Sequence, residues 1–217
     1  MPGIVRPSGG RPLVGRVLSR ASLRGDAVLL APTLLGRVIV SDSPQGRVVL
    51  RITEVEAYRG DDDPASHAFR GLTRRNAVMF DEPGHLYTYF VYGMHWCANI
   101  VTGPVGLPSA VLLRAGEVLS GVELAASRRA GGTRLEHLGR GPAGLASVLG
   151  LGAEQNGLDL CLTSSRVTLR TGEPVPDALL SSGPRVGVNV GAQLPWRFWV
   201  TGSPSVSAYR AGVRRRP

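Results

Sequence analysis

The chain has 217 residues, 43% of them hydrophobic, and a formal net charge of +9 at pH 7. That composition supports a sizeable core and excludes global disorder. The longest apolar run, Ala27 to Ala31, excludes a membrane-spanning helix.

The charge is unevenly placed. No acid precedes Asp26 or follows Asp177. Five Arg fall in residues 1–25 and six in residues 178–217, which leaves 14 Arg against 16 acids between them. Basic ends on a balanced body suit a polyanionic partner such as nucleic acid, while a GC-rich genome would also write Arg throughout. Every basic residue of the Lys and Arg count is Arg. A guanidinium stays protonated and cannot serve as an amine nucleophile, so a Schiff-base reaction would need the chain's own N-terminus. Cys97 and Cys161 lie far apart and form no Cys-x-x-Cys pair, which reads as two reduced, buried thiols in a cytosolic protein.

Residues 1–25 are rich in Pro, Gly, Ser and Arg and read as a mobile basic arm. A transit peptide shares that composition, but no long amphipathic run is present. Asp26 is placed to cap a short helix ahead of Pro32, with a further turn ending at Gly36. Val38 to Val40 and Arg47 to Tyr58 read as strands joined by a turn at Ser43-Pro44-Gln45-Gly46. Arg59 to Arg75 is a polar loop, with a helical turn before Met79. Leu86 to Val91 and Trp96 to Val101 form a hairpin through Tyr92-Gly93-Met94-His95. Ser109 to Ala115 is a strand, and Gly121 to Arg129 and Pro142 to Leu149 are helices. Late strands are expected at Val167 to Arg170, Arg185 to Val190 and Arg197 to Val200. Strands outnumber helices without regular β-α alternation. The expected fold is therefore α+β: a single domain over residues 26–209, with a curved and mainly antiparallel sheet, a protruding β-hairpin, surrounding helices and a basic tail at 210–217.

Eight of the chain's twelve aromatics lie between Tyr58 and Trp96. Glu54, Glu56 and Tyr58 alternate along one strand and share a face. Two acids and a tyrosine make a poor core face. They would line a solvated face, or they would place a carboxylate beside His67 of the following loop, where it could activate water. Tyr87 and Tyr89 share a face of the next strand, as a buried pair or as stacking platforms. Tyr92 sits at the hairpin tip, where a large aromatic either folds back on the surface or serves as a wedge between base pairs. Aromatic surface beside carboxylates suits a flat, partly cationic purine. The four His do not fall at metal-ligand spacings, so neither metal nor cofactor is expected.

Several segments carry a resemblance. They are Thr53-Glu54-Val55-Glu56-Ala57-Tyr58, His67, Arg75-Asn76, Met79-Phe80, the run Pro83 to Met94, Asn99-Ile100 and Leu112-Leu113-Arg114-Ala115. Gly141-Pro142, Arg185-Val186-Gly187-Val188, Arg197-Phe198-Trp199-Val200 and Gly202-Ser203-Pro204 continue it. In order and spacing they resemble the alkyladenine (3-methyladenine or methylpurine) DNA glycosylase family, over nearly all of the chain beyond the N-terminal arm. The resemblance implies a base-excision-repair enzyme that flips alkylated or deaminated purines out of double-stranded DNA. Such an enzyme hydrolyses the N-glycosidic bond without lyase activity. It implies that Glu56 is the general base, and that Arg114 and the Val186 carbonyl help hold its water. Tyr58 and His67 would wall one side of the flipped base and Tyr89 the other, with Asn99 at the pocket floor. Tyr92 would intercalate into DNA, with Met79 packing at the lesion. His95 and Trp96 depart from the aromatic pair expected after the wedge. A monomeric, cytoplasmic, nucleoid-associated bacterial protein without membrane contact is implied.

Two other readings use the same residues. In one, the tyrosines stack bases in a non-catalytic nucleic-acid-binding module. In the other, Pro2 becomes the N-terminal amine of a bifunctional glycosylase after loss of Met1.

Overall fold

The long apolar alternation from Val38 to Tyr58 builds the centre of the molecule. The computed structural model describes residues 14–212. Within them β1 (Val38–Ser43) and β2 (Gly46–Tyr58) form an antiparallel hairpin in which Ser43 faces Gly46. A second hairpin joins β3 (Leu86–Val91) to β4 (His95–Val101), and β5 (Ala110–Ser120) follows. The late strands are β6 (Val167–Arg170), β7 (Leu180–Gly183) and β8 (Arg197–Val200). All pairings are antiparallel, in the order β3-β4-β5-β2-β1-β6. Where β1 ends, β8 takes over the same edge of β2 and carries β7 outside it. The result is the α+β fold expected.

Among the described residues three short α-helices cover the sheet: α1 (Ala27–Leu34), α2 (Val122–Ser127) and α3 (Pro142–Leu149). Asp26 caps α1 by accepting the Val28 N–H at 2.7 Å. The helix runs through Pro32 instead of stopping before it, losing one backbone bond. Ala27, Ala31 and Leu34 of α1, Leu145, Val148 and Leu149 of α3, and Val48, Leu50, Ile52, Val55 and Ala57 of β2 share the main core.

That list contains a change of parity. The core-facing residues of β2 are even-numbered up to Ile52 and odd-numbered from Val55. Ile52 pairs with Gly116 and Glu54 with Ala115, so Thr53 is an extra residue in β2. On β5, Arg114 falls between the partners of Glu54 and Val55. These β-bulges turn Glu54, Glu56 and Tyr58 away from the core, which an unbroken alternation would have made them enter.

Two expectations change. Residues 185–190 form no strand. The Val186 amide goes to the Glu56 side chain and the Gly187 amide (φ 71°) to the Arg210 carbonyl, so their backbone groups are satisfied off the ladder. The described part of the expected arm, residues 14–25, packs on the domain. Val17 bridges Arg170, Leu23 is buried in the core, and Arg20 pairs with Asp159 and with Glu82 at 3.1 Å. Residues 1–13 and 213–217, including Pro2 and most of the basic tail, lie outside the described residues.

Candidate active site

The parity switch sets Glu54 and Glu56 side by side on the polar face of β2, both with no exposed surface. They differ in how many donors each receives. Glu54 accepts Arg114 Nε at 2.9 Å, Arg197 Nε at 2.7 Å and the Ser207 hydroxyl at 2.8 Å on Oε1. Its Oε2 accepts the Ser207 amide at 2.7 Å. Among the described residues Glu54 thus takes four donors, three of them on one oxygen. Among the described residues Glu56 accepts two hydrogen bonds, from the Val186 amide at 2.7 Å on Oε1 and from the Tyr58 hydroxyl at 3.0 Å on Oε2, and its Oε1 is ion-paired with Arg114 Nη1 at 3.3 Å. Among the described residues only Tyr58 donates to Oε2, which leaves acceptor capacity there.

The protonation equilibria diverge accordingly. Burial pushes the Glu54 carboxyl upward, but Arg114, the Ser207 amide and Arg197 outweigh it and hold Glu54 below the usual carboxylate range. For Glu56 burial wins over Arg114, Val186 and Tyr58, and its carboxyl rises. One acid is held firmly ionised, and its neighbour is made a stronger base. The Tyr58 phenol is raised well above its ordinary value by burial and by Glu56, so it remains a donor to that carboxylate.

Tyr58 connects the carboxylates to an aromatic cleft of about 70 Å³, lined by Tyr58, Ala65, His67, Met79, Tyr87, Tyr89 and Asn99. Behind Tyr58, the Arg185 guanidinium lies 4.7 Å from its ring centroid and 5.1 Å from that of Trp196. Arg185 is fully buried. It donates to both Asp63 oxygens, at 2.5 and 2.9 Å, and to the Ala57 carbonyl at 3.0 Å. The loop after β2 starts at Gly60 (φ 90°), where a Cβ would lie 1.9 Å from the Pro108 carbonyl oxygen, so only Gly fits. Farther along, the Asn76 side-chain amide donates to the carbonyls of His67 at 2.9 Å and Gly71 at 3.0 Å, fixing the loop that presents His67. His67 Nδ1 lies 3.1 Å from the Tyr87 hydroxyl. Its ring meets Tyr89 edge to face, with centroids 4.4 Å apart. Partial burial and Arg75 lower the His67 pKa, which favours the neutral imidazole.

The sequence-predicted residues fall into two places. Tyr58, His67, Tyr89, Asn99 and Met79 meet in the cleft, and Glu56, Arg114 and Val186 lie behind Tyr58. Met79 is 2% exposed, so it belongs to the cleft wall and not to an exposed intercalating surface. Val186 donates its amide to Glu56, a contact additional to the role expected of its carbonyl. Tyr92 is 86% exposed at the hairpin tip, in a left-handed conformation (φ 53°) followed by Gly93 (φ 66°). Asp63, Ser207 and the stacking role of Arg185 were missed. The run of three Asp was visible, but nothing local pairs its last member with an Arg 122 positions away.

A model of the family described as methylpurine-DNA glycosylase matches residues 21–204. The chain belongs to the methylpurine-DNA glycosylase family. It is a DNA glycosylase, a hydrolase of N-glycosyl bonds. Three relatives bear the name "Putative 3-methyladenine DNA glycosylase". That of Streptomyces avermitilis is 51% identical over 189 residues, 86% of this chain and 89% of the relative. That of Leifsonia xyli subsp. xyli is 49% identical over 199 residues, 88% and 92%. That of Nocardia farcinica is 45% identical over 194 residues, 87% and 92%. Within this methylpurine-DNA glycosylase the matched segment holds every residue of the cleft and both carboxylates, while Ser207 lies just beyond it. No helix among the described residues is long and apolar enough to cross a membrane, and no group of three or more His, Cys, Asp or Glu among them could hold a metal ion.

Proposed function

We propose that this enzyme excises alkylated or deaminated purines from double-stranded DNA by flipping the base into the aromatic cleft and hydrolysing its glycosidic bond with water activated by Glu56. The observation that carries this reading is the acceptor capacity left on Glu56 Oε2 beside Tyr58, a wall of the cleft. Departure of the purine builds positive charge on the sugar. The carboxylate stabilises that charge and takes the proton of the attacking water. Arg114 orients the carboxylate, and the Val186 amide fixes its Oε1.

A base stacked between two rings needs about 7 Å between them, twice the ~3.5 Å contact distance. Tyr89 and His67 stand closer than that. Base entry therefore turns His67 off the Tyr87 hydroxyl, and Met79 and Asn99 close the far end of the cleft. The chain has no lysine to form a Schiff base, and with water as the nucleophile the product is an intact strand with an abasic site. The enzyme acts as a monomer on DNA in the bacterial cytoplasm.

Incubation with duplex containing hypoxanthine or 3-methyladenine tests this directly. Strand breaks should appear only after alkali, and no borohydride-trapped adduct should form. Absence of alkali-labile sites above a no-protein control would reject the proposal.

Tyr92 acts as the wedge that fills the gap left by the flipped base. Tyr92→Gly suits the positive φ and leaves folding stability within about 0.5 kcal/mol. Base release from duplex should fall about tenfold or more, equivalent to roughly 1.4 kcal/mol. Release from single strands should hardly change. Equal losses on both substrates would remove the wedge role.

A further inference from the structure

We propose that Glu54 is a positioning residue for base release: its buried carboxylate fixes Arg114 against Glu56 and balances the charges of Arg114 and Arg197. This rests on Glu56 being the base.

Glu54 is held by Arg114, Arg197 and both Ser207 donors, and it is Glu56, not Glu54, that bonds Tyr58 of the cleft wall. What it does is hold the Arg114 fork. With Nε on Glu54, Arg114 sets Nη1 on Glu56 at 3.3 Å and Nη2 on the Ser207 hydroxyl at 3.2 Å. Arg197 is the cross-strand partner of Glu56 on β8, and its Nε also lies on Glu54. Two guanidiniums and two carboxylates thus form one buried neutral cluster.

Among the described residues few other groups lie around Glu56. Tyr58 of β2 donates to it, and Arg185 behind Tyr58 is paired with Asp63. Tyr89 of β3 and Cys97 of β4 have raised pKa values, chiefly through burial, and stay neutral. Removing the charge of Glu54 therefore leaves Glu56 as the one anion of the cluster beside Arg114 and Arg197, with one positive charge in excess. Its proton then comes off more easily and it becomes a weaker base. The Glu54 charge is one of the influences that raise the Glu56 carboxyl.

The experiment is the pH dependence of single-turnover release of hypoxanthine from duplex DNA by the full-length protein. In the parent protein the rate should rise with pH through the elevated Glu56 pKa. Glu54→Gln should move that acid limb down by about half a pH unit or more and lower the plateau at least about tenfold. Arg197→Met, which removes one of the two cations, should move the limb upward. The double variant should bring the limb back toward that of the parent. A purely structural Glu54 would lower the active fraction and leave the limb in place, which would overturn the proposal. If Glu54→Gln does not fold, an unmoved limb in Arg197→Met has the same force. Failure of the underlying reading looks different: Glu56→Gln would then release base at the parental rate. An inert Glu56→Gln with unmoved limbs in the other variants rejects this inference alone.

Discussion

Glu56→Gln should bind lesion-bearing duplex with near-parental affinity while releasing base about 10²–10⁴-fold more slowly, the range general-base catalysis supplies. The amide is nearly isosteric. It can still accept the Val186 N–H and lie against Arg114, so the cleft keeps its shape. Two things are lost together: the proton acceptor beside Tyr58 and the negative charge facing the sugar cation. Electrophoretic binding and single-turnover release on the same duplex separate affinity from chemistry. A variant that both binds and cleaves normally would eliminate Glu56 as the base. One that no longer binds would show that the charge shapes the DNA site instead.

Arg185→Met should be the most damaging single change to stability, at about 3–5 kcal/mol, the usual result of stranding one member of a buried ion pair. Asp63 has no exposed surface, and both its oxygens are turned to Arg185. A domain with a total stability of about 5–15 kcal/mol would lose a large fraction of it. The damage also reaches the site. Arg185 lies on the back of the Tyr58 ring and immediately precedes the residue whose amide holds Glu56. Urea unfolding should therefore show a lower midpoint, and base release should fall in whatever fraction remains folded. Adding Asp63→Asn should recover part of the stability, because the stranded charge is removed. A loss below about 1 kcal/mol would mean that Asp63 finds another partner or solvent.

The pieces of the fold with local signals were legible in the chain. Asp26 announced its helix, Pro142 began another where expected, and Val167–Arg170 and Arg197–Val200 were recognisable from composition alone. The shared face of Glu54, Glu56 and Tyr58 followed from a period of two. What lay beyond reach was long-range pairing. The Arg185–Asp63 pair and the Ser207 cap on Glu54 join segments with no common pattern. Residues 185–190 look like a strand because they alternate Val with smaller residues, yet their amides are spent on Glu56 and on the Arg210 carbonyl. The difference in roles between the two acids was also hidden. It depends on counting donors, and those come from β5, β8 and the C-terminal segment.

The extra residue at Thr53 makes chain length, more than side-chain identity, the quantity this strand must preserve. Removing one residue between Ile52 and Glu54 would exchange the two faces of everything that follows. Acids would be driven among leucines, and Val55 and Ala57 would be thrown into the cleft. Substitutions can accumulate along the ribbon, but insertions and deletions have to be absorbed by its turns, such as the one between Ser43 and Gly46.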